Sequence, residues 1–195
     1  MFSIRFQVSV ILLALAALTI FLPDSRRSSG ELNVNSMLEA MNDHGQFLSV
    51  DQVARMVVYE DTSIQLVDVR DPEAYMAVHI PGAINIPVED ILNPDWSGYL
   101  GDPAVKPVFY SNGNTLAGEA WMLCTQKGYT GSMIMVGGMN DWYRVIMEST
   151  FQGKRISASD NAIFEVRYRA RDFFKRMNSM PDSMKTAFLE VKRKK

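Results

Sequence analysis

Cysteine is almost missing from this 195-residue chain, which has only Cys124. A single thiol excludes an intramolecular disulfide and any metal site built from several cysteines. Histidine is nearly as scarce: His44 and His79 are the only two. Two histidines argue against a histidine-rich metal centre as well, and the expectation is no cofactor and no metal. No internal repeat is present, so solenoid and propeller architectures are set aside. Net charge is also small, −2, with 47% hydrophobic and 22% charged residues, an ordinary globular composition. That balance hides an asymmetry. Residues 1–152 hold 8 Lys/Arg against 17 Asp/Glu, whereas residues 153–195 hold 12 against 5. An acidic body with a basic tail points to two parts with different partners.

Charge is missing altogether from one stretch. Between Arg5 and Pro23 the chain runs Phe6 to Leu22 without a charged residue, and Asp24 and the pair Arg26–Arg27 follow. At about 1.5 Å rise per residue this is the short end of a bilayer-spanning helix. The expectation is a single-pass membrane anchor or signal segment over residues 1–23. A secreted protein released after signal cleavage is the alternative, with Ala14-Leu15-Ala16 as the small-x-small site. A buried soluble helix is the third reading. No cysteine directly follows the segment, so a lipoprotein anchor is excluded. Positive charge flanks both ends and orients the segment only weakly. A short N-terminal tail that stays inside places the domain outside the cytoplasm. Nucleic acid is a poor partner for an acidic body behind such a segment.

Residues 24–34, rich in Ser with a Gly, read as a linker. Over residues 35–150 short apolar runs alternate with helical patterns. Ser49-Val-Asp-Gln52 has capping-box form and opens a helix through Glu60. Ile64–Asp68, Ala83–Ile86, Val108–Tyr110 and Met133–Val136 read as strands, with helices over 114–127 and 139–147. Strands separated by helices imply an α/β fold with a parallel sheet covered on both faces, in which ligands bind beyond the carboxyl ends of strands. The segments to inspect therefore follow Asp68, Tyr110 and Val136. In residues 151–195, a basic amphipathic helical tail, Ile163, Val166, Ala170, Phe173, Phe174 and Met177 share one stripe, with Arg167, Arg171, Lys175 and Arg176 largely off it. Pro181 breaks the pattern, and Ser183 caps a last helix ending Lys192–Lys195.

Two stretches carry a specific signal. One is Leu66-Val-Asp-Val-Arg-Asp-Pro-Glu-Ala-Tyr75 with its continuation through His79-Ile-Pro-Gly-Ala-Ile-Asn-Ile-Pro87; the other is Val136-Gly-Gly-Met-Asn-Asp-Trp142. Together, and in this order, they resemble the two signature regions of the rhodanese homology domain over about residues 45–146. Val78 departs from the glycine usual before the His-Ile pair, and Ala74 from the acid that often precedes the aromatic. As scaffold, Asp68 ends a strand where it can accept from loop amides, and Arg70 offers a planar fork for carboxylates or carbonyls. Pro81-Gly82 supplies a turn. Gly137 and Gly138 let a strand end approach the next helix closely, and Trp142 covers the core. His79 reads as a hydrogen-bonded packing residue.

The resemblance implies sulfur transfer through a cysteine after the fourth strand, cradled by loop amides and the next helix N-terminus, which stabilise a thiolate and its persulfide. The family pattern is Cys, two residues, Gly, one residue, Arg, then Ser or Thr. Here the loop is Tyr110-Ser111-Asn112-Gly113-Asn114-Thr115. Anchored on Gly113, Tyr110 takes the cysteine position and Thr115 that of the arginine; one deletion puts Ser111 in the cysteine position instead. Neither alignment supplies a thiol, and a serine hydroxyl cannot carry a persulfide. Phosphatase relatives of the fold need the same cysteine. The expectation is a binding or scaffolding module without catalytic residues, with a sulfurtransferase working through Cys124 as the alternative. Cys124 itself falls on the helix face of Ala117, Ala120 and Trp121, which reads as core. For the basic tail two readings stand: an apolar stripe packed on the domain, or a surface for anionic lipid or a protein partner.

Overall fold

The protein is described here by a computed structural model that covers residues 44–150, 157–181 and 184. A 3₁₀ turn, His44–Gln46, leads into β1, Phe47–Leu48. Ser49 then starts α1, Val50–Val58, through a complete capping box: its hydroxyl accepts from the Gln52 amide, and the Gln52 side chain accepts from the Ser49 amide. Strand β2 is Ile64–Asp68, α2 is Pro72–Ala77 and β3 is Ile84–Asn85. Two 3₁₀ turns and the short α3, Ser97–Leu100, connect to β4, Lys106–Tyr110. Helix α4, Thr115–Gln126, precedes β5, Met133–Met135, and α5, Gly138–Trp142. A π-helical stretch, Tyr143–Met147, follows α5 directly, and α6 is Ala158–Asn178.

The five strands form one sheet in the order β1-β5-β4-β2-β3, and every pair is parallel. Side chains alternate across it, as the two-residue period of a strand requires. Leu66, Val108, Tyr110 and Met135 face one core with α1, Trp142 and Ile146; Val67, Val69, Phe109 and Ile134 face the other with α4, Ile86, Ile91 and Leu100. Helix α1 buries Val50, Val53, Ala54 and Val57, spaced by three and four residues along one face.

The basic segment contributes a structural helix to the first of these cores. Ala170, Phe174 and Met177 of α6 are buried, and Val166 and Phe173 pack against the same cluster. The Phe174 ring lies 6.0 Å from that of Trp142 and 5.8 Å, edge on, from that of Tyr143. Polar ties hold the helix in register. Arg167 makes a two-pronged pair with Asp51 of α1 at 2.6 and 2.7 Å, and Arg171 donates to the carbonyls of Ile146 and Ser149.

Several sequence expectations change. Glu60 lies beyond α1, because the chain turns at φ 52° there. The strand expected at Ala83–Ile86 shortens to its central pair. Phe47–Leu48, too short to show a period, completes the sheet edge. The single helix expected at 139–147 is α-helical only to Trp142. Beyond it the Glu148 amide bonds to the Tyr143 carbonyl, a wider five-residue turn, and Arg171 takes the Ile146 carbonyl. Ile163 leaves the apolar stripe and is 44% exposed. Arg167 and Arg171 are tied down rather than solvated. The membrane segment (1–23), the linker (24–34), Ser183 and Lys192–Lys195 lie outside the described residues. Among the described residues no helix is long and apolar enough to cross a membrane.

If α6 is part of the core, Phe174→Ala, at a residue 3% exposed, lowers the unfolding free energy by about 3 kcal/mol in a denaturant titration. Ile163→Ala on the same helix stays within about 0.5 kcal/mol of the parent. Equal effects at the two positions would contradict the packing described.

Candidate functional site

The carboxyl ends of β2, β4 and β5 meet at one place, and a buried ion pair forms its floor. Asp68, the last residue of β2, has no exposed surface and Arg70 is 5% exposed. Only two residues apart, they pair in a two-pronged manner: Arg70 Nε reaches Asp68 Oδ1 at 2.9 Å and Nη2 reaches Oδ2 at 2.6 Å. The Arg70 amide also donates to Asp68 Oδ1 at 3.1 Å. Burial works against the guanidinium charge, but the Asp68 hydrogen bond and charge outweigh it, and the Arg70 pKa moves up. Such a pair survives burial only because its remaining hydrogen-bonding capacity is filled. Arg70 Nη2 donates to the Val78 carbonyl at 2.7 Å and Nη1 to Asn112 Oδ1 at 3.3 Å. Asn85 then donates to the main-chain carbonyls of Asp68 and Arg70, at 3.0 and 2.9 Å.

Tyr110, the last residue of β4, is fully buried, with its ring in the α1-side core. Its hydroxyl accepts from the Ile80 amide at 3.2 Å and feels the charge of Asp68. Ser111 comes next and is 2% exposed; its hydroxyl donates to the Gly113 carbonyl at 2.8 Å, inside its own turn. Asn112, Asn114 and Thr115 are exposed and Gly113 is half-buried. Asn112 and Asn114 remain exposed although their side-chain oxygens are bonded inward, and α4 starts at Thr115.

The second motif clamps this loop. Helix α5 is only five residues long, and the amides of its first turn have no partners within the helix. The loop supplies them: the Met139 amide donates to the Ser111 carbonyl at 2.8 Å, and that of Asn140 to the Asn112 carbonyl at 3.0 Å. The Gly137 amide donates to Asn114 Oδ1 at 2.7 Å. Both glycines have positive φ, 82° and 57°, and the approach is too close for a side chain. A Cβ on Gly138 would stand 2.3 Å from the Ser111 carbonyl oxygen, and one on Gly137 2.1 Å from Asp141 Oδ2.

His79 is 2% exposed; its Nδ1 lies 2.9 Å from the Tyr75 carbonyl, and its ring stacks on Tyr75 at 4.1 Å. Gly82 sits in the turn before β3 at φ 83°, and Trp142 is fully buried beneath α6. The structure therefore brings Asp68, Arg70, Tyr110, Ser111, Asn112, Asn114, Gly137 and Gly138 into one bonded assembly, with His79 and Gly82 along its 78–82 side. Cys124 belongs elsewhere. It is fully buried in the α4-side core, nine residues into α4 and so about 14 Å along the helix from its start. Sequence reasoning passed over Asn85, read only as a strand residue, and Tyr75, whose hydroxyl donates to the Ala83 carbonyl at 2.8 Å. It also passed over Asn178, which reaches His79 from α6. Asn85 and Tyr75 lie inside the first motif and were open to notice, whereas nothing near Asn178 in the chain marks it. Among the described residues no three His, Cys, Asp or Glu side chains are grouped to hold a metal.

Residues 49–145 match the family model described as the Rhodanese-like domain. The thiosulfate:glutathione sulfurtransferase of Saccharomyces cerevisiae is 34% identical over 107 residues, covering 50% of this chain and 77% of that protein. Among solved structures, the yeast single-domain sulfurtransferase RDL2 is similar, at 25% identity and TM-score 0.42, over 51% of this chain and 89% of that one. The human single-domain sulfurtransferase TSTD1 shows 25% identity and TM-score 0.43, over 51% and 96%.

Three buried protonated groups give the fold a pH signature. Burial alone pushes the Cys124 thiol up to about 12. Burial, then the Asp68 charge, pushes Tyr75 to about 12 and Tyr110 well above the ordinary tyrosine value. In the unfolded chain these groups lose their protons from about pH 9 to 10 upward, while the folded chain keeps them. The unfolded state then binds fewer protons, so stability is complete below about pH 9 and falls as pH rises toward 12. The melting temperature should accordingly drop between pH 8 and pH 10.5, and Tyr75→Phe should flatten that drop. An identical drop in Tyr75→Phe would assign the pH dependence to other groups.

Proposed function

The chain belongs to the rhodanese-like domain family, and on that premise we propose that it is a non-catalytic member acting as a membrane-tethered binding or scaffolding module. The observation that carries this reading is the loop after β4. Its positions 110–115 hold no thiol, the Ser111 hydroxyl is turned onto Gly113 within the loop, and the ungapped alignment on Gly113 puts Thr115 at the family arginine position. Transfer of sulfur through this fold needs a thiolate that becomes a persulfide, and a hydroxyl does not substitute. The single thiol, Cys124, is enclosed by the α4-side core, and burial pushes it up to about 12, which keeps it protonated rather than as the nucleophilic thiolate. What remains is a rigid surface of Asn112, Asn114 and Thr115 ahead of a twelve-residue helix, suited to a partner's carboxylate or main chain.

The tether is the uncharged run Phe6–Leu22, and the module stands outside the cytoplasm in this reading. The basic tail supplies the second contact, to anionic lipid or an acidic protein partner. Part of its charge already serves the domain through Arg167 and Arg171, while Arg169, Lys175 and Arg176 are exposed.

The deciding assay supplies thiosulfate to the full-length chain, with cyanide and with glutathione as acceptors. No turnover above the uncatalysed rate is expected, together with a Cys124 that resists thiol reagents at pH 8 until denaturant is added. Turnover lost in Cys124→Ala would replace this reading with a sulfurtransferase working through that thiol. The tether is tested by extracting membranes at alkaline pH: the chain should stay with the lipid, and deleting residues 6–22 should release it. Release of the intact chain would remove the tether from the proposal.

A further inference from the structure

Helix α6 lies outside the matched residues 49–145, yet its last residue is bonded into the turn that supports the loop. Asn178 Oδ1 accepts from the His79 amide at 3.1 Å, and its Nδ2 donates to the His79 carbonyl at 3.0 Å. One side chain thus satisfies both main-chain groups of a residue 99 positions earlier. The residues on either side of His79 are bonded to the site. The Val78 carbonyl accepts from Arg70, which also donates to Asn112 of the loop. The Ile80 amide donates to the hydroxyl of Tyr110, whose main chain runs directly into Ser111. All three consecutive residues are therefore held, the middle one by α6 and the outer two by the groups that set the loop.

We infer that α6 is a strap that sets the conformation of the 111–114 loop through residues 78–80, with Asn178 as the positioning residue. The physical basis is that Arg70, His79, Ile80 and Tyr110 are at most 5% exposed and have definite bonding partners, with Val78 half-buried beside them. A shift at His79 has no solvent to absorb it and must move Val78 and Ile80, and with them the Arg70 and Tyr110 contacts. Arg167 provides a contrast on the same helix. It is eleven residues from Asn178, about 16 Å along the axis, and its tie runs to α1 rather than to the loop. The inference goes beyond the binding reading, because it concerns how the loop is held whatever the loop contacts. It makes α6 a place where a partner could alter that loop.

The test is amide hydrogen exchange on the full-length chain. The Met139 and Asn140 amides are the reporters, since their only partners in the structure are the loop carbonyls of Ser111 and Asn112. The Val67 amide in β2 is the reference for global opening, so a variant that merely destabilises the fold raises reporter and reference together. Asn178→Ala should raise exchange at Met139 and Asn140 by more than about fivefold relative to Val67, while Arg167→Ala stays below that threshold. Should Asn178→Ala not fold, the near-isosteric Asn178→Asp, which keeps the acceptor and loses the donor to His79, carries the same expectation. A relative change below about fivefold in the folded Asn178 variant, or an equal change in Arg167→Ala, overturns the inference.

Discussion

The buried pair of Asp68 and Arg70 is the interaction on which the rest of this structure depends. Two opposite charges two residues apart at a strand end are stable without water only if every remaining donor and acceptor is met. Meeting them recruits the site. Arg70 takes the Val78 carbonyl and the Asn112 side chain, and Asn85 takes the carbonyls on either side of Val69. The positions of the loop, the 78–82 turn and the end of β4 are thus consequences of one desolvated pair. Loss of either partner would leave an uncompensated charge, which in such settings costs on the order of 3–5 kcal/mol.

The loop and α5 satisfy one another in a second, equally local way. A five-residue helix cannot supply partners for its own first amides, and the loop carbonyls of Ser111 and Asn112 take that place. The close approach requires glycine at 138, where a β-carbon would collide with the Ser111 carbonyl oxygen. The loop held in this way carries a serine whose hydroxyl is bonded within its own turn. The loop is thus bonded on both sides while its positions 110–115 contain no cysteine.

Much of the fold was legible before the structure. Ser49 and Gln52 announced a helix start, and the alternation of Ile64–Asp68 with helical segments announced a parallel sheet. The boundaries moved where competing hydrogen bonds decide the outcome. Helix 139–147 became π-helical after Trp142, with Arg171, twenty-five residues on, taking the Ile146 carbonyl. Two-residue strands such as Phe47–Leu48 carry no periodicity to read. Of the site, the residues inside the motifs were legible, and so was the buried face holding Cys124. Tyr110 was recognised as a loop position, but its role as acceptor for the Ile80 amide was not, since that bond joins residues thirty apart.

By itself the sequence determined the family, the parallel α/β layout, the absence of a thiol in the loop and the apolar stripe of the basic segment. These follow from residue identity and short-range spacing, which need no knowledge of what lies opposite. Only the tertiary structure decided where the stripe packs, which arginines are tied to the domain, and that Asn178 closes on His79. Those outcomes depend on partners such as Asp51, 116 residues from Arg167, and on burial that turns an ordinary hydrogen bond into an obligatory one. No local pattern encodes such a pairing, because it arises only when the folded core brings the two positions together.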